Sequence, residues 1–426
     1  MICAFPKSMS GLRRERVRRV NAAASCAMAV VVFVYCAVVS AQGASGAARP
    51  TQTASAAFQS LAAKATAAQD ADNLDEAVPL FRKALTLNPR WVEGLWSLGE
   101  IDYKEDHYRA AAGEFKKVVA LDPKYGTAHA MLGLCEFELG QEKEALNDIE
   151  ASKELGMEQD PQLRQVVLYH EGILLQRASR YEQASMALSS LCLSGVRSAD
   201  LAQIFGMTML HINSKAAPAE STPEGDVVQH IGRGACMSAA NEYDQARREY
   251  DYVLQQNPHF PLVHFAYGRF LLEARDRPGA IEAFKQEIAE HPNNVLARLE
   301  IAAVEYKADS AAGVPYAQQA VALAPQSPLP HYLLGLLLLD TGDFQGSIPH
   351  LELARKAFSS DARVYWSLGA AYAHVGRPQD SARARAEFLR LSQSAGKEPQ
   401  NASPDHATYG APQMEIMDSV DNGAKP

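Results

Sequence analysis

Apolar residues recur along most of this chain at helical spacing, in paired stripes. Leu95, Leu98 and Gly99 share one face of a segment starting near Val92, and Ala111, Phe115 and Val118 share one face of the next. The small residue is the most regular element. Gly99, Gly133, Gly172, Gly206, Gly234, Gly268, Ala302, Gly335 and Gly369 occur in the same local setting, at steps of 34, 39, 34, 28, 34, 34, 33 and 34. A helix pair cannot bury its apolar face alone, so a repeated pair stacks on its neighbours and builds a continuous core. The pattern predicts an all-α solenoid of helix-turn-helix units.

The stops keep the same rhythm. Asn88-Pro89, Asp122-Pro123, Asn257-Pro258 and His291-Pro292 end apolar stripes, and proline neither continues a preceding helix nor lets the residue before it stay helical. Ala77, Phe81, Ala84 and Pro89 in one unit, and Tyr365, Leu368, Gly369 and Tyr372 in another, complete the pattern. On these residues the chain resembles the tetratricopeptide repeat family. That resemblance implies a right-handed superhelix of units near 58–91, 92–125, 126–161, 165–195, 227–260, 261–294, 295–327, 328–361 and 362–395, roughly four fifths of the chain.

Two steps break the period. The 39-residue step predicts a longer exit loop from Gly156 to Pro161. At the 28-residue step, Ala199 to Ile212 reads as a helix with no second helix after it, followed by a loop from Asn213 to Asp226 containing Pro218, Pro223 and Gly225. This predicts a first array over 58–195, an unpaired helix and hinge loop over 196–226, and a second array over 227–395. Gln42–Ala57 is expected to be a flexible linker and 396–426 a disordered tail, since both are small and polar.

The first 41 residues are of another kind. Five arginines between Arg13 and Arg19 lead into an apolar run from Ala22 to Val39, and Val39-Ser40-Ala41 offers small residues for cleavage before Gln42. The segment reads as a secretory signal peptide or as an uncleaved membrane anchor, the run being about the shortest that spans a bilayer. Either places the repeats outside the cytoplasm of a bacterium, in the periplasm or secreted, or held at the inner membrane by residues 22–39. Removing 1–41 takes away Lys7 and the five arginines but only Glu15, so net charge moves from −9 to −14, unfavourable for nucleic acid. Cys135, Cys192 and Cys236 remain in the mature chain. One bridge is possible in an oxidising compartment, and the sequence does not choose it.

No phosphate loop, His-Glu-x-x-His, Cys-x-x-Cys or Gly-x-Ser-x-Gly occurs, so no catalytic, cofactor or metal site is expected. His129, His230, His264 and His331 recur four residues before the small residue and read as packing rings. One position later stand Trp96, Tyr169, Phe265, Tyr332 and Trp366. The resemblance implies that this side of each first helix lines a concave groove. With Glu100, Tyr103, Arg269, Arg363 and His374 nearby, these aromatics are candidate ligands for a protein or peptide partner. A rotation of about 100° would turn the row inward. The function this predicts is a non-catalytic scaffold, with a glycan or small hydrophobic ligand carrier, or a targeting subunit of an envelope transferase, as the alternative.

Overall fold

The computed structural model of the chain describes residues 52–157 and 160–394, which form nineteen helices and, among the described residues, no strand. They fall into two compact units divided between Val167 and Leu168. The segment 1–41 and the tail 396–426 lie outside the described residues.

The first unit pairs α1 (Gln52–Asp70) with α2 (Leu74–Leu87), α3 (Val92–Lys104) with α4 (Tyr108–Leu121), and α5 (Gly126–Glu138) with α6 (Glu142–Leu155). Helix α7 (Pro161–Arg177) crosses the division. The second unit continues with α8 (Tyr181–Leu193), α9 (Ala199–Met209), and the pairs α10 (Pro223–Ala239) with α11 (Tyr243–Gln256) and α12 (Val263–Glu273) with α13 (Arg277–Glu290). It closes with α14 (Val295–Glu305) and α15 (Ser310–Leu323), α16 (Pro328–Asp340) and α17 (Phe344–Ala357), and α18 (Ala362–His374) and α19 (Pro378–Ser394).

The repeated glycines mark where the two helices of a pair touch. A Cβ on Gly99 would meet Phe115 at 2.8 Å, one on Gly172 would meet Leu188 at 2.5 Å, and one on Gly268 would meet Phe284 at 2.5 Å. In each case the partner is sixteen residues later, because the turn length is constant. Gly113 on α4 is the counter-case, since a Cβ there meets nothing within 4 Å. Gly113→Ala should therefore stabilise the first unit by about 0.5–1 kcal/mol, the ordinary helix-propensity gain, as a rise in the urea midpoint. A fall would mean that the α4 surface is covered.

Between α8 and α10 the structure departs from expectation in three ways. Helix α9 is not unpaired: it lies backbone to backbone on α10, where a Cβ on Gly206 would fall 1.9 Å from Val228 O and one on Gly232 1.7 Å from Ala202 O. Pro223 and Gly225 begin a helix instead of prolonging the loop. Thr222 accepts the Gly225 N–H at 3.1 Å, and proline occupies the first turn, where its missing N–H costs nothing. The remaining connection, 210–222, is tied down. His211 O accepts from Tyr181 OH at 3.1 Å, Asn213 donates to Ser179 at 2.8 Å, and Gln203 donates to Pro218 O at 2.9 Å. A disulfide joins Cys192 on α8 to Cys236 on α10. The expected hinge thus lies inside the second unit.

Residues 52–57 of the expected linker belong instead to helix α1, which starts at Gln52 in an alanine-rich stretch of high helix propensity, and residues 42–51 lie outside the described residues. Phe58 from that helix packs edge-on against Trp91, 5.4 Å between centroids. The core of each unit follows the repeat. Ala77, Phe81, Leu98 and Ile101 cluster in the first, and Leu336, Leu351, Val364 and Leu368 in the second. No described helix is long and apolar enough to cross a membrane.

Candidate functional site

The aromatic row divides into open and closed parts. On α3, Trp96, Glu100 and Tyr103 follow at i, i+4 and i+7, share one face, and are each half-buried. Trp96 leans on Phe115 and Tyr125, both 5.3 Å away, and Tyr103 lies 5.5 Å from Tyr108. This stretch of the first unit offers an apolar surface with one carboxylate in its middle.

In the second unit the row turns inward. Phe265 is 1% exposed and Tyr332 0%, and Tyr169 is buried as well. Phe265 sits between Phe284 of its own pair, at 5.8 Å, and His211 from the connection before α10, at 6.0 Å. Tyr332 packs 6.1 Å from Phe358. These three are core residues and do not line an open groove, because neighbouring segments cover the side of the first helix that carries them. Trp366 is half-buried against Phe388 at 5.1 Å, and His374 stacks on Phe344 at 3.9 Å. The Arg363 side chain donates three times to Asp361, at 2.9, 3.1 and 2.6 Å.

Arg269, expected as a groove cation, is the buried centre of an ionic cluster. Both its terminal nitrogens donate to the Glu182 carboxylate, one at 2.9 Å, and its Nε stands 4.0 Å from Glu300. Burial alone would lower the guanidinium pKa, but Glu182 and Glu300 outweigh it and raise it. Glu273 is close enough to act electrostatically on the arginine, and it accepts from Ser238 Oγ. Its carboxyl is pushed up by burial against the opposing pull of Ser238 and Arg269. Burial likewise pushes Glu300 up to about 7, with Arg269 opposing.

Glu300 therefore has a stability signature with a definite sign. Its folded pKa lies above the ordinary glutamate value near 4.3, so folding takes up a proton between those limits and stability falls as pH rises from about 4.3 to about 7. Glu300→Gln removes this loss. The variant should match the parent near pH 4 and exceed it by about 1–3 kcal/mol at pH 8 in urea titrations. A difference independent of pH would show that Glu300 is ionised in the folded protein.

Three of the four recurring histidines are hydrogen-bonded as well as packed, each to a side chain nineteen residues later on the second helix. His129 Nδ1 lies 2.5 Å from Asp148, His230 Nδ1 2.7 Å from Glu249, and His331 Nδ1 2.7 Å from His350 Nδ1. His264 has an alanine, Ala283, at that position, and burial lowers its pKa. In the first unit, burial and Asp148 push Glu136 up to about 7 against the pull of Lys116.

Sequence profiles of the tetratricopeptide repeat match residues 98–157, 238–295 and 332–396, and a second profile of the same description matches 58–90. Together they cover just over half of the chain. No curated protein matches it. Among solved structures, a crystal structure of MamA aligns at 22% identity and a TM-score of 0.36 over 39% of this chain and 97% of that one. The Cut9–Hcn1 hetero-tetramer of the APC/C aligns at 14% identity and 0.34 over 86% and 96%, and yeast Tom70 at 15% and 0.33 over 80% and 70%. Stacked helix pairs of this kind present extended surfaces on which other proteins are held. With the profile matches, the sixteen-residue glycine contacts and the all-α pairing in both units, the chain belongs to the tetratricopeptide repeat family.

Proposed function

We propose that the protein is a non-catalytic, extracytoplasmic scaffold that holds a protein partner on the first helices of its repeats and serves cell-envelope assembly. The tandem repetition carries this reading, because the stacked helix pairs within each unit supply extended surface and the sequence supplies no catalytic motif. The half-buried Trp96, Glu100 and Tyr103 are the partner-binding candidates in the first unit, and Arg363 and Trp366 those in the second. Burial of Phe265 and Tyr332 takes two platforms from the glycan or small-ligand reading.

Export is supported by the arginine-rich apolar N-terminus and by the Cys192–Cys236 disulfide, a bond that persists outside reducing compartments. Thiol alkylation of acid-quenched cells tests it. The mature chain should then expose a single reactive thiol on denaturation, that of Cys135, whose carboxylate-flanked burial pushes it up to about 12 in the folded state. Three thiols would place the protein in a reducing compartment.

Site-specific photo-crosslinking in cells tests the partner surface. A photoreactive residue at Glu100 or Ala370 on first helices should give a discrete protein adduct, and one at Lys117 or Glu282 on second helices should not. Adducts confined to Lys117 and Glu282 would move the surface to the other side of the pairs. No adduct at any of the four would count against a scaffold.

A further inference from the structure

The turn that ends α3 carries groups that the fold does not need. One ligand atom from each of Asp102, Glu105 and His107 lies within 4.8 Å of the others. His107 Nδ1 stands 3.4 Å from Glu105 Oε2 and 3.8 Å from Asp102 Oδ1. Donors bound at about 2.0–2.2 Å to one ion are roughly 3–3.6 Å apart, so a small rotation of the exposed His107 and Glu105 side chains closes the set.

Asp102 supplies an independent observation. Its side chain is only 9% exposed, yet among the described residues its carboxyl accepts no hydrogen bond, and the nearest basic side chain is His107 at 3.8 Å. Arg82 and Glu114 act on it through space with opposite signs, and neither forms an ion pair with it. A carboxylate this buried is normally hydrogen-bonded or faces a cation. Asp102 and Glu105 also stand at the C-terminal end of α3, where the helix dipole disfavours negative charge and favours a cation.

The backbone of this turn is a fixed part of the repeat, which allows a comparison within the chain. The His107 N–H donates to Asp102 O at 2.8 Å around Asp106, whose φ is +61°. The same bond closes the turns at Asn73, Gln141, Glu242 and Arg377 around residues that also have positive φ. The three corresponding positions are Ala68, Ala71 and Asn73 in the first of these, Glu136, Leu139 and Gln141 in the second, Met237, Ala240 and Glu242 in the third, and Tyr372, Val375 and Arg377 in the fourth. Turn geometry therefore sets no requirement for Asp, Glu and His together.

We propose that Asp102, Glu105 and His107 bind a divalent first-row transition-metal ion at the end of α3. One imidazole with two carboxylates suits Mn, Fe, Co or Zn, whereas calcium sites are built from oxygen. The ligands come from six consecutive residues and leave the solvent side of the ion open to water. His107, 63% exposed, is the entry point.

The chain from Gln42 onward, which keeps every described residue, is titrated with Co²⁺ by calorimetry and visible absorption. His107→Gln and Asp102→Asn are compared with the parent, after matching far-ultraviolet circular dichroism in the absence of metal. His107 is a surface residue, so its variant folds even if Asp102→Asn does not. The expected result is one site, weakened at least about tenfold in each folded variant, with Zn²⁺ displacing Co²⁺ and excess Ca²⁺ leaving it bound. Absence of Co²⁺ binding, or a His107→Gln variant that binds like the parent, overturns the site. Displacement by Ca²⁺ as readily as by Zn²⁺ overturns the metal class.

Discussion

Arg269→Met should destabilise the second unit by about 3–5 kcal/mol at pH 8, the range for a buried ion pair broken from one side. Methionine fills much of the arginine's volume, so the loss is electrostatic and not a cavity effect. Glu182 would lose both of its charge-assisted bonds, while Glu300 and Glu273 would lose the only cation that lowers their carboxyls. The two buried carboxylates, Glu182 and Glu300, would then be left without their cation.

The sign with pH follows from the carboxyls. Burial already pushes Glu300 up to about 7 and Glu273 upward with Arg269 in place, so as pH falls both take up protons and the uncompensated charge diminishes, and the Arg269→Met deficit should shrink by more than half between pH 8 and pH 5. Adding Glu182→Gln and Glu300→Gln should recover most of the loss at pH 8, as a coupling energy in a multiple-mutant cycle. Urea unfolding followed by circular dichroism reads both effects. A deficit equal at the two pH values would mean that the cluster is held by packing, with the charges already screened.

Gly232→Ala should cost about 3 kcal/mol or more, although alanine is the better helix former by up to about 1 kcal/mol. Position 232 is mid-helix, so propensity alone predicts a gain. The new methyl would lie 1.7 Å from the carbonyl oxygen of Ala202 and 2.8 Å from the amide nitrogen of Gly206, both backbone atoms that no rotamer change can move. Helices α9 and α10 must separate by more than 1 Å, and every contact along their shared face weakens with them. Gly113→Ala, with the same chemistry and open space, is the opposite-signed control. Equal midpoints for the Gly232→Ala variant and the parent would mean that α9 is not seated on α10.

The helix pairs were legible because one contact repeats. A glycine facing a large residue sixteen positions on recurs in most units, so a single-residue period reports a three-dimensional event. Gly206 belongs to the same series but touches Val228, twenty-two residues on. Local spacing could not show that α10 substitutes for the second helix that α9 lacks. The aromatic row exposes another limit. Periodicity assigns Trp96 and Phe265 to the same phase, but whether that phase is open depends on what folds over it, and at Phe265 His211 does. Arg269 and Glu182 are 87 residues apart and share no repeat position, so no pattern links them. The disulfide partners were undetermined for a similar reason: Cys192 and Cys236 meet only after α9 has displaced the regular stacking.

That disulfide also fixes how the chain carries load. Cys192 and Cys236 are 44 residues apart in sequence and 5.3 Å apart in space. A pull on the two ends passes through sulfur and leaves α9 and its connection slack, outside the line of tension. About 150 Å of contour, at roughly 3.4 Å per residue, is withheld from extension until the bond is reduced. Stretched between two attachments, the oxidised protein is a shorter tether than its residue count implies, and a reductant would lengthen it in one discrete step.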